Sequence, residues 1–135
     1  MFIKEKLDVV AAIIERQGKI LLARRPMSAD QPGKWEFAGG KLEAGETQPQ
    51  AVTRELREEL AIQARPGRFI ASHCCNIAGR EVCLHAWHVT HFTGEPTARF
   101  HAALHWCTPE EARDFDLAPA DVPLLEAFIA RPPHR

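Results

Sequence analysis

The segment "GGKLEAGETQPQAVTRELREEL", Gly39 to Leu60, gathers carboxylates behind a pair of glycines. If its second half is helical, Glu55, Glu58 and Glu59 fall within an arc of roughly 100°, beside an apolar stripe of Val52, Leu56 and Leu60. The acids then border a face that must be buried. Glu55 and Glu59 stand at i and i+4, where like charges oppose helix formation by about 0.2–0.5 kcal/mol, and partial desolvation beside the stripe adds to that cost. Arg54 is placed to pair with Glu58 and Arg57 points further towards solvent, but two arginines do not neutralise four carboxylates once Glu46 is counted. An all-oxygen cluster of this kind selects a hard divalent cation, Mg²⁺ or Mn²⁺, rather than zinc. The competing account of "RELREE" is a solvated glutamate-rich face, and those six residues taken alone favour it.

The elements that must carry these groups are marked in the surrounding sequence. "LDVVAAIIE" and "KILLARR" are β-branched, apolar runs joined by "RQG", which predicts an opening hairpin. "PMSADQPGKWEFAGG" has two prolines and three glycines with no sustained period, which predicts a loop leading to the acids. Thr47 with Gln50 forms a capping-box signature, so a helix should start near Gln48 and run to about Leu60. "RFIASHCC", "EVCLHAWHVTHF" and "HAALHWC" predict three further strands. Thr108 with Glu111 repeats the capping box, and Asp121 before "VPLLEAFIA" is placed to cap a closing helix through its side chain. The tail "RPPHR" is expected to be disordered. The pattern is that of an α+β fold, helices packed on a mixed sheet around one core, within a single domain spanning residues 1–135.

Composition narrows the functional classes. The 135 residues are 45% hydrophobic and 26% charged, which excludes disorder and a membrane protein. A formal net charge of −1 gives no global field for long nucleic acid or an anionic bilayer, so a phosphate ligand must be held by local groups. The start "MFIKEKLDVVAAIIE" is too short and too charged for a membrane span or signal peptide, which predicts a cytoplasmic protein. Cys74, Cys75, Cys83 and Cys107 form no paired knuckles, so neither a zinc site nor a disulfide framework is expected. His85, His88 and His91 alternate across a predicted strand, which argues against a shared metal site.

The gapped pattern from Gly40 through Glu46 to Arg54-Glu55-Leu56-x-Glu58-Glu59-x-x-Ile62 resembles the Nudix box of the Nudix hydrolases, and the longer match reverses the balance between solvated face and metal cluster. "VVAAIIER", "WEFAGGK", "LHAWHV" and "LAPAD" followed by "PLLEAF" resemble the bacterial CTP pyrophosphohydrolase branch of that family, close to the MutT-type nucleotide sanitisers. The resemblance implies the Nudix α/β/α sandwich, a Mg²⁺ requirement, and cleavage of a nucleoside triphosphate to the monophosphate and pyrophosphate. It also implies that Glu55, Glu58 and Glu59 ligate metal with the Gly40 carbonyl, that Glu55 takes a proton from the attacking water, and that Arg54 orients that carboxylate. Glu58 shares the catalytic centre with them.

Arg25 and Lys41 are the local cations expected to meet phosphate oxygens, or else ordinary surface charges. Trp35 and Phe37 either stack on a base or anchor the core. Asp121 aligns with a position that resembles a base reader, Glu36 being the next candidate. Two positions depart from the family pattern. Ala61 stands where the box has glycine, so a left-handed cap there would cost on the order of 1 kcal/mol or the cap moves. Phe100 stands where MutT-like enzymes bring a further glutamate to the metal, leaving His101, Glu95 or a water to substitute. The expected substrates are CTP, dCTP and modified pyrimidine nucleotides. The rivals are oxidised purines such as 8-oxo-dGTP and a non-catalytic nucleotide sensor, and the chain is expected to act as a monomer or homodimer.

Overall fold

The computed structural model describes residues 6–132, so Lys4 and Glu5 of the charged start and Pro133 to Arg135 of the expected disordered tail lie outside the described residues. Its strands are β1 (Lys6–Arg16), β2 (Lys19–Arg24), β3 (Trp35–Glu36), β4 (Gly39–Lys41), β5 (Gln63–Arg65), β6 (Phe69–Ile77), β7 (Arg80–Val89), β8 (His91–Thr93) and β9 (Ala103–Cys107). The helices are α1 (Gln48–Leu60), α2 (Pro109–Ala112) and α3 (Val122–Ala130).

The opening hairpin forms as expected, turning through Gln17 and Gly18, both at positive φ (54° and 78°), the backbone that a tight two-residue hairpin demands. Beyond the turn its strands part. β1 runs parallel to β7 and antiparallel to β4, while β2 takes β3 and β9 as antiparallel partners. The sheet is therefore mixed, in the order β3-β2-β1-β7-β6, with β5 and β8 forming a separate pair.

β1 is apolar on both faces because both are covered. Val10, Ala12 and Ile14 pack with Ala51, Val52, Leu56 and Leu60 of α1, whereas Ala11 and Ile13 pack with Leu124, Leu125 and Phe128 of α3. This is the expected helix–sheet–helix sandwich.

Helix α1 starts and stops where the sequence marks it. Thr47 Oγ1 accepts from Gln50 N–H at 3.2 Å and Gln50 Oε1 accepts from Thr47 N–H at 2.9 Å. The helix ends at Ala61, left-handed at φ 58° and ψ 34°, so the cap stays in place and alanine bears its strain.

Several expectations are corrected. The loop before α1 contains β3 and β4, and "EVCLHAWHVTHF" breaks at Thr90 so that β8 can pair with β5. Cys74 and Cys83 are joined in a disulfide; only Cys75 and Cys107 are free. The turn at Ala78 and Gly79 folds β6 onto β7 so that residues 74 and 83 stand opposite each other, a pairing that knuckle spacing does not reveal. Asp121 occupies the N-cap position of α3 without a side-chain cap bond. It lies at the end of a 3₁₀ turn (Pro119–Asp121) with helical φ −83° and ψ −20°, whereas a capping side chain needs extended backbone.

Candidate active site

The glycine pair lies on β4, antiparallel to the centre of β1, and the two glycines are required for different reasons. A Cβ on Gly39 would sit 1.9 Å from the Val10 carbonyl oxygen, so this glycine lets the two backbones approach. A Cβ on Gly40 would sit 2.5 Å from the Glu55 carboxylate carbon, so this one leaves room for an acid. Gly39 N–H also donates to Glu59 Oε1 at 3.2 Å. The acidic face of α1 is thus docked on the β4 backbone.

Arg54 organises the carboxylates around it. Its guanidinium donates to Glu46 at 2.7 and 2.9 Å, to Glu55 at 2.8 Å, to Glu58 at 3.3 Å and to the Lys41 carbonyl at 3.0 Å. The Arg54 hydrogen bonds, helped by Glu43 N–H, hold Glu46 down at about 2, while Arg54 itself is raised above its ordinary range, chiefly by Glu46. Glu46 therefore serves Arg54 directly.

Glu59 receives no such compensation. Burial pushes its carboxyl up to about 7, with the charges of Glu55 and Glu36 acting in the same direction against His101 and Gly39 N–H. Glu58, whose side chain is 54% exposed, lies at the solvent edge of the cluster, where Arg54 reaches it at 3.3 Å.

Beside the glycines opens a cleft of about 330 Å³, lined by Arg25, Asp30, Glu36, Phe37, Gly39, Gly40, Lys41, Glu59, Phe100 and Asp121, together with Val9, Val10, Ala11 and Leu84. Its far wall is a polar chain. Arg25 donates to Glu36 at 3.1 and 3.2 Å and is also tied to Asp30, and Glu36 in turn holds His101 Nε2 at 2.9 Å. Asp121 is 4% exposed and accepts from Phe37 N–H at 3.3 Å. Burial, followed by the charge of Glu36, pushes its carboxyl up to about 8.

Gly40, Lys41, Glu59, Arg25, Glu36 and Asp121 are therefore brought together around one cleft, with Glu55, Arg54 and Glu58 along its α1 side. Arg25 is already engaged by two acids. Glu95 pairs with Arg16 at 3.0 Å and does not line the cleft, whereas the buried His101 is bonded to Glu36, which does. Trp35 packs edge-on against Phe115 at 5.3 Å, and Phe37 is 3% exposed, so both are anchors of the core. His85 is bonded to Asp8 and His88 to Glu15, while His91 meets Thr90. Asp30 was not foreseen, because it sits in an aperiodic loop where only its contact with Arg25 distinguishes it.

Among the described residues no three acidic, histidine or cysteine side chains already surround one ion position. The donor set nonetheless fits a hard cation. It offers oxygen ligands only, a backbone cradle that a Cβ on Gly40 would fill, and the Glu59 carboxylate held beside that cradle by Gly39 N–H.

The NUDIX domain profile matches residues 4–128. The chain is 61% identical over 124 residues, covering 92% of each chain, to a protein of Escherichia coli (strain K12) named CTP pyrophosphohydrolase. It is 32% identical, over 90% of this chain and 95% of the relative, to the 8-oxo-dGTP diphosphatase of the same organism. The solution structure of the E. coli ORF135 protein superposes with a TM-score of 0.88 at 60% identity, covering 94% of this chain and 91% of that one.

Proposed function

The chain belongs to the Nudix family, hydrolases of nucleotide substrates that work with divalent metal ions, and from that premise we propose that it is a Mg²⁺-dependent pyrophosphohydrolase of CTP, dCTP and modified pyrimidine nucleotides. Mn²⁺ is the expected substitute for Mg²⁺. The reaction is NTP plus water to NMP plus pyrophosphate, and its role is cytoplasmic sanitation of the nucleotide pool that supplies DNA synthesis. The observation that carries the reading is the Glu55 carboxylate packed against Gly40, with Glu59 beside it on Gly39 N–H. The preference for CTP follows the 61% identical relative rather than the 32% identical one.

Glu55, Glu58, Glu59 and the Gly40 carbonyl are the groups that would hold the cation. When bound, it neutralises phosphate charge and lowers the pKa of a coordinated water. Glu55 accepts the proton of the attacking water, and Arg54 holds its carboxylate in position at 2.8 Å, the geometric demand on any general base. Lys41, exposed at the cleft rim, meets phosphate oxygens, while Arg25 fixes Glu36 and reaches phosphate from the opposite wall. Glu36 and Asp121 face the base. A carboxyl oxygen can accept from the cytosine N4 amino group, a donor that uracil lacks.

The test is kcat/KM across CTP, dCTP, UTP, ATP, GTP and 8-oxo-dGTP with Mg²⁺. A preference for cytosine nucleotides supports the reading. Equal rates across the bases would overturn the CTP assignment, and a preference for 8-oxo-dGTP would replace it with purine sanitation.

A further inference from the structure

We propose that Phe100 is the stacking platform for the nucleobase in this cleft, an inference that rests on the enzymatic reading above and names a specificity residue for it. The two aromatics nearest the glycines cannot take that part: Phe37 is buried at 3% exposure, and the Trp35 ring is occupied by Phe115 and His105. Phe100 is 46% exposed and lines the cleft shared by Glu36, Asp121, Gly39, Gly40 and Glu59.

A lone exposed phenylalanine is common on protein surfaces. This one is held in place. Arg99 N–H donates to the Glu59 carbonyl at 3.1 Å and Ala102 N–H to the Arg24 carbonyl at 2.8 Å, which pins its segment to α1 on one side and β2 on the other. Its ring stands edge-to-face on His101, with centroids 5.0 Å apart and planes at 81°. His101 is itself immobilised, with a fully buried ring bonded through Nε2 to Glu36, which Arg25 holds. A connected series from Arg25 through Glu36 and His101 thus sets the Phe100 ring beside the acids that face the base.

Phe100 also occupies the position where the family pattern places a metal-directed carboxylate. A benzyl group cannot ligate a cation, but it offers an apolar π face, and base–aromatic stacking needs nothing more.

The test compares Phe100→Ala, Phe100→Leu and Phe100→Trp with wild type on the best nucleotide of the panel, measuring KM, kcat and the Mg²⁺ concentration for half-maximal rate. Phe100→Ala is expected to raise KM about 5- to 150-fold, the scale of one base–aromatic stack. Its kcat and Mg²⁺ requirement should stay within about two-fold. Phe100→Trp should return KM close to wild type, and Phe100→Leu should leave most of the loss. Inhibition by CMP should weaken in parallel with KM, while inhibition by pyrophosphate, which carries no base, should not change. An unchanged KM in Phe100→Ala, full rescue by leucine, or a shifted Mg²⁺ requirement would each overturn the proposal. The wild-type rates test the enzymatic reading separately, and melting curves show whether each variant folds.

Discussion

At the scale of single residues, two acids with raised pKa values, Glu59 and Asp121, line one cleft. Glu59 and Glu58 differ in burial, so replacing them should cost activity alike and stability differently. Glu59→Gln and Glu58→Gln are each expected to lower Mg²⁺-dependent turnover by orders of magnitude. Only Glu59→Gln should also raise the melting temperature, because it removes a buried, repelled charge. Wild-type turnover in both variants would show that these acids hold no metal. Asp121 gives a pH-dependent prediction. Its folded pKa, about 8, lies above the ordinary aspartate value of about 3.9, so the fold favours the protonated form. That contribution is complete below about pH 4 and is lost as pH rises through 8. Asp121→Asn cannot ionise, so its melting temperature relative to wild type should climb across that window and level off above it; a constant difference would contradict the burial account. Below pH 8 the protonated carboxyl resembles an amide in carrying both a donor and an acceptor. If Asp121 reads the base, the wild-type CTP/UTP preference should therefore rise through pH 8. There Asp121→Asn should narrow it by about 5- to 150-fold, the scale of one base contact. A flat wild-type profile would leave Glu36 as the reader.

At the scale of elements, β4 and α1 form the unit that makes the site, and its two glycines separate folding from chemistry. Gly39→Ala drives a methyl into the Val10 carbonyl, a backbone atom that cannot move without parting β4 from β1, so it should melt at markedly lower temperature. Gly40→Ala first meets the end of the Glu55 side chain, so it should fold near-normally and lose activity as that carboxylate is displaced. If the two variants were equally unstable, the division of roles would fail. Ala61→Gly should stabilise by up to about 1 kcal/mol, since glycine accepts φ 58° without strain, and denaturant unfolding would measure it. A lower unfolding midpoint would mean that the left-handed cap is not strained. Much of this unit was legible because its signals are local: Thr47 and Gln50 mark the start of α1 within three residues, and the apolar stripe fixes its buried face. What was not legible depends on distant chain. β3 and β4 are too short to show a period, Cys74 meets Cys83 only through the β6–β7 register, and Asp121 fails to cap because a 3₁₀ turn sets its backbone.

At the scale of the molecule, a sheet covered on both faces leaves one edge of α1 open beside β4, and the cleft lies where the two meet. The carboxylates proposed to serve the phosphate end come from α1, and the groups proposed to face the base come from the β2–β3 region, the segment before β9 and the turn before α3. The sequence pattern located the first set because it is contiguous. The second set was found only one residue at a time, and Phe100, His101 and Asp30 acquired their places from the tertiary structure. The most direct test of the account is to incubate wild-type protein with CTP and Mg²⁺ and to separate the products by ion-exchange chromatography. The account predicts CMP and pyrophosphate in equal amounts, with formation stopped by a chelator and restored by added Mg²⁺. Release of CDP and inorganic phosphate, or turnover indifferent to the chelator, would contradict it.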